Sequence, residues 1–136
     1  MTVKECYSQM GGDYNNVLSR FYDEAMIKRL LGRFIDDTSF RALEQAMAEG
    51  NVQAAFNAAH TLRGVCQSLS FTQLCGTLDP ITEALRGGNI AAAAADMDKA
   101  KREYDVTLSA IRACTESETR KAREAVMTRP SGLFIH

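Results

Sequence analysis

The stretch Asn51-Val52-Gln53-Ala54-Ala55-Phe56-Asn57-Ala58-Ala59-His60-Thr61-Leu62-Arg63-Gly64-Val65-Cys66-Gln67-Ser68-Leu69-Ser70 decides how this chain folds. Val52, Ala55, Phe56, Ala59, Leu62, Cys66 and Leu69 recur at helical spacing and share one side. They predict an amphipathic helix over 51–69 with that side facing a core. Asn51 is a good N-cap, and Gly50 before it closes a preceding helix. At about 100° per residue, His60 points roughly 130° away from the centre of the apolar stripe. Gln53, Asn57, Gly64 and Gln67 fall on its outward side, so they are its neighbours on the helix surface. The spacing therefore predicts an exposed histidine in a polar patch with no large apolar group beside it. Gly64 is costly in such a place, about 1 kcal/mol relative to alanine. Its physical use is to lower the surface beside the imidazole, so that another backbone or a bulky anion can approach. Arg63, three residues after His60, can bring a guanidinium beside an anion held on the ring.

The rest of the chain repeats the helical period, and no segment alternates long enough to be a strand. Val3, Cys6, Tyr7 and Met10 make one stripe, broken by Gly11 and Gly12, with Asp13 placed to cap the next turn. Tyr14, Val17, Leu18 and Phe21 make a second. Ile27, Leu30, Leu31 and Phe34 line a helix at 23–36. Thr38 or Ser39 can cap another at 39–49, carrying Phe40, Leu43 and Met47, which reads as a short cover on the bundle. Leu74, Leu78, Ile81 and Leu85 line a helix at 71–86. Pro80 lies inside it and either kinks one helix or opens a second one capped by Asp79; the unbroken stripe favours the kink. Ile90, Met97, Tyr104, Leu108 and Ile111 line a last long helix at 90–113. Helices joined by short loops predict an all-α, antiparallel bundle over 1–114. Residues 115–136 read as a polar tail or a helix extension.

Composition excludes several classes. With 16 basic and 17 acidic residues the net charge is −1, which gives no general drive toward nucleic acid or an anionic membrane. No run of about 18 apolar residues is present, so no membrane span is expected. The first ten residues carry Lys4 and Glu5 and lack a signal peptide's apolar stretch, which makes a cytoplasmic location the default. Cys6, Cys66, Cys75 and Cys114 are scattered without a C-x-x-C pair, pointing to reduced thiols and no zinc site. No nucleotide-binding glycine loop and no hydrolase nucleophile motif occurs. An exposed imidazole, an adjacent cation and a cleared surface together describe a phosphoryl carrier, since a ring nitrogen can hold the group covalently.

His60-Thr61-Leu62-Arg63-Gly64, followed by Leu69, resembles the H-x-L-K/R-G motif of histidine-containing phosphotransfer (HPt) domains. The motif evidence is confined to 58–69, and the architectural resemblance covers about residues 20–113. Gln67 and Ser70 stand where that family often has glycine. The resemblance implies a four-helix bundle, here with extra short N-terminal helices. It implies that His60 is the phosphoacceptor and Arg63 stabilises the phosphoryl group. The group would pass between receiver-domain aspartates, or from a histidine kinase, in two-component signal transduction. Gln53, Asn57, Gly64 and Gln67 would form the partner-contacting rim. No cofactor is expected in the chain itself; Mg2+ would belong to the partner receiver domain. The expected state is a monomer that binds neither nucleic acid nor membrane. Simpler readings stand beside these. Arg63 can be a surface ion-pair residue, with Glu83 or another helix, and Gly64 can serve helix packing. The main alternative function is a non-phosphorylated adaptor that holds a receiver domain or another signalling partner.

Overall fold

A computed structural model describes the backbone of residues 1–127 and the side chains of residues 1–115. Seven helices and no strand occur among the described residues: α1 (Val3–Met10), α2 (Tyr14–Phe21), α3 (Glu24–Ile35), α4 (Ser39–Ala48), α5 (Val52–Ser68), α6 (Thr72–Arg86) and α7 (Ile90–Met127). The expected all-α bundle is what the chain forms. None of the described helices is long and apolar enough to cross a membrane.

Local chemistry sets the boundaries. Asp13 and Asn51 accept the N–H groups of Asn16 and Ala54 at 3.0 and 3.1 Å, each satisfying an orphan donor of the first turn. Neither Thr38 nor Ser39 supplies the expected side-chain cap to α4. Asp37 does, its Oδ1 accepting the Ser39 N–H at 2.8 Å. Gly50, at φ 69°, takes the left-handed conformation that ends α4, and the Asn51 N–H reaches back to the Ala46 carbonyl at 2.9 Å. Pro80 lies within an uninterrupted α6, so it does not split that helix. α7 continues past the expected end at 113 through Met127, taking residues 115–127 into the helix; 128–136 lie outside the described residues.

α5, α6 and α7 pack in sequence, α4 packs along α5, and α1 and α3 pack on α7. α4 buries Phe40 and Leu43 of its expected stripe, together with Ala46, and Phe40 stacks on Tyr104 of α7 with ring centroids 4.3 Å apart. From there a chain of edge and tilted ring contacts runs through Phe34, Phe71 and Tyr7 to Tyr14. These rings tie α1, α2 and α3 to α7 and to the α5–α6 turn, and such contacts contribute about 0.5–1.5 kcal/mol each beyond burial.

The C-terminus of α5 is locked with particular completeness. The Phe71 and Ser70 N–H groups bond back to the Cys66 and Gln67 carbonyls, a Schellman closure with Ser70 at the left-handed position, φ 60°. The Tyr7 hydroxyl donates to the Leu69 carbonyl at 2.8 Å, the Asp13 N–H to that of Ser70 at 2.9 Å, and the Arg20 guanidinium to those of Gln67 and Ser68. The short N-terminal helices thus satisfy carbonyls that a helix end leaves open. They fix the helix that carries His60.

Candidate functional site

His60 is exposed near the middle of α5, where the sequence places it, with Leu62 and Cys66 fully buried on the opposite side. No described residue hydrogen-bonds to its imidazole. The expectation of a patch free of large apolar groups is corrected. Phe56 is half-buried at the edge of the apolar stripe, and its ring stacks with that of His60 at a centroid distance of 5.7 Å and an interplanar angle of 19°. One turn separates the two residues, so the stack follows from helical spacing.

Gln53, Asn57, Gly64 and Gln67 are all exposed. Gln53 Nε2 donates to Asn57 Oδ1 at 3.0 Å, which holds these two together along the outer face. An added Cβ at Gly64 would meet no heavy atom within 4 Å. Helix packing therefore does not require this glycine. What it does is leave an opening: Gly64, Thr61, Val65 and Ser68 form one wall of a largely apolar groove of about 420 Å³, with Phe21, Leu30, Arg33 and Phe34 opposite. The groove exists because α3 packs on α7 and makes no extensive contact with α5.

Arg63 lies on the other flank of His60. Its Nε faces Asp79 Oδ1 of α6 at 2.6 Å, and both atoms are shielded from water without another hydrogen bond. Glu83, the partner considered from sequence, instead pairs with Arg86 at 3.1 Å. Arg86 comes to the site from α6: its guanidinium carbon sits 5.1 Å from the centre of the Phe56 ring, in cation–π range. Sequence reasoning missed both Phe56 and Arg86 as site residues. A signal existed for the second. Phe56 lies fourteen residues before the Ser70 turn and Arg86 sixteen after it, so an antiparallel α5–α6 pair brings them level.

Cys75 is half-buried beside this ion pair. Burial pushes its thiol pKa up, Asp79 adds to the rise, and Arg63 opposes it. Cys6 and Cys66 are fully buried; burial raises the first to about 12 and the second higher still. No group of three or more His, Cys, Asp or Glu side chains suited to a metal occurs among the described residues.

The arrangement is a histidine on a ridge. One flank, toward α6, carries two arginines; the other, toward α3, is an open apolar groove. A search of curated proteins and a search of solved structures give no match. A family model for the Hpt domain matches residues 29–119, which span α3 to α7 through Thr119 and hold His60, Arg63, Gly64 and Arg86. The chain belongs to the Hpt domain family, helical bundles that act as phosphotransfer carriers in two-component phosphorelays.

Proposed function

We propose that this protein is a phosphorelay intermediate that takes a phosphoryl group onto His60 and hands it on. The donor is a phospho-aspartate of a receiver domain or the phosphohistidine of a kinase. The observation that carries this reading is His60 itself: exposed, bonded to no described side chain, and rigidly presented by a helix whose C-terminus is tied down on several carbonyls.

Transfer from an aspartyl phosphate needs little covalent work from this chain. A lone pair on an imidazole nitrogen attacks phosphorus in line. The P–O bond to the aspartate breaks, its electrons leave as the carboxylate, and the other ring nitrogen sheds its proton to solvent, leaving a neutral ring that carries the anionic phosphoryl group. Such steps depend on positioning and on charge stabilisation. α5 supplies the position. Arg63, held by Asp79 on the α6 flank, supplies positive charge near the phosphoryl oxygens. The partner docks over Gly64 and along the α3–α5 groove, with Gln53, Asn57 and Gln67 as polar rim contacts. Mg2+ belongs to the partner receiver's own acidic site.

The test is incubation with a phosphorylated receiver domain and mapping of the label. The wild-type protein should carry acid-labile phosphate on His60, and His60→Gln should carry none while folding normally. Label on His60→Gln at the wild-type rate would place the phosphoacceptor elsewhere. Receiver binding with no label on the wild type would favour the adaptor reading.

A further inference from the structure

The phosphoryl group on His60 needs a cation with donors to offer, and the residue that adjacency in sequence nominates is already engaged. Arg63 Nε is turned to Asp79 at 2.6 Å, and its side chain keeps only 27% of its exposure. Arg86 lies more open. Like Arg63 it gives its Nε to one carboxylate, that of Glu83 at 3.1 Å; what separates the two is exposure, 52% of the Arg86 side chain against 27% of Arg63. Arg86 rests on Phe56, the ring on which His60 also stacks. One aromatic side chain therefore supports both the nucleophile and a guanidinium. On the helical wheel Phe56 and Arg63 lie to one side of His60, and Thr61, Gly64 and Ser68 to the other. A partner docked in the groove leaves the Arg86 flank beside the transferring group.

We propose, resting on the phosphocarrier reading, that Arg86 is the principal cation serving the phosphoryl group on His60 and that Phe56 is a positioning residue for both. The planar guanidinium presents paired N–H groups that match phosphoryl oxygens. Stacking limits the imidazole to one plane, which in an exposed histidine without hydrogen bonds nothing else described here would do. Phe56 acts through His60 and Arg86 and touches no reacting atom.

The experiment uses the full chain and potassium phosphoramidate, a small donor that needs no protein partner. The imidazole nitrogen attacks its phosphorus, the donor's P–N bond breaks, and ammonia leaves. Initial labelling rates are followed by phosphorus NMR for wild type, Arg86→Gln, Arg86→Lys, Arg63→Gln, Phe56→Leu and His60→Gln, each beside a thermal melt. Arg86→Gln should label about threefold more slowly or worse, the scale of a partly exposed charge interaction. Arg86→Lys should recover part of the rate, and Arg63→Gln should lose less than Arg86→Gln. The wild-type rate should fall as salt is raised, and the Arg86→Gln rate should fall less steeply, a change that loss of packing alone would not produce. Phe56→Leu should slow labelling with its melting midpoint retained. Arg86→Gln labelling at the wild-type rate, or Arg63→Gln losing more than Arg86→Gln, overturns the proposal and leaves the carrier reading intact. Undiminished labelling of His60→Gln overturns the carrier reading itself.

Discussion

Gly64 offers the sharpest separation of stability from function. It sits inside α5, exposed, and an added Cβ would find open space. Filling it with alanine removes the backbone-entropy penalty of a helical glycine, about 0.8–1.0 kcal/mol. Gly64→Ala should therefore melt higher, by roughly 2–6 °C for a chain of this size. Gly76 in α6 is the internal control, since it too is helical, exposed and without a neighbour within 4 Å. Gly76→Ala should gain a similar increment. The two positions part company in transfer. Gly64 lines the α3–α5 groove one turn from His60, whereas Gly76 does not line it. In a transfer assay from a phosphorylated receiver, Gly76→Ala should match wild type. Gly64→Ala should slow transfer, and Gly64→Gln should slow it at least tenfold, because its side chain stands where the partner approaches. Phosphoramidate labelling of Gly64→Gln should change far less, since the small donor needs no docking surface. Gly64→Gln transferring from the receiver at the wild-type rate would refute this account of the glycine.

Ser70 holds a left-handed conformation that costs a non-glycine residue about 1 kcal/mol, offset by its hydroxyl donating to Asn16 Oδ1 at 2.6 Å. Ser70→Ala keeps the strain and loses the bond, so it should melt below both wild type and Ser70→Gly; equal stability of the two variants would contradict this. Asp79→Asn removes the carboxylate that restrains Arg63 and should raise the phosphoramidate labelling rate of His60; an unchanged rate would show that the ion pair does not restrain it. For the thiols the sign is set by burial: Cys6 ionises near 9 when unfolded and at about 12 in the fold. The unfolded state therefore binds fewer protons between those values, and stability should fall as pH rises through that window. Thermal melts from pH 8 to 11 check the slope. In the native protein a thiol reagent should reach Cys75 before Cys6 or Cys66.

Periodicity made the outward His60 and Gly64 legible, because angular position on one helix is a property of spacing alone. It also placed the stripes of α1 to α6. What depended on register between helices was harder to read. Arg63 has an acid one helical turn nearer the α5–α6 turn than Glu83, and only the geometry of that turn decides between Asp79 and Glu83. Phe56 lies at the edge of the apolar stripe, where the same side chain can turn to the core or lean along the surface onto His60. Ser70 stands where the resembled family often has glycine, which hints at its positive φ, but the hydrogen bond to Asn16 that offsets the strain spans 54 residues and no local pattern shows it. The polar run at 115–127 fitted a tail and a helix equally, and α7 extends through it.

The central claim is that His60 both accepts and returns a phosphoryl group, and a chase tests it most directly. The protein is labelled at His60 with phosphoramidate, freed of donor, and mixed with an unphosphorylated receiver domain and Mg2+. The account predicts that label leaves His60 and appears on the receiver aspartate faster than it is lost to water. Label that stays on His60, or that is released only as inorganic phosphate with every receiver offered, would contradict it.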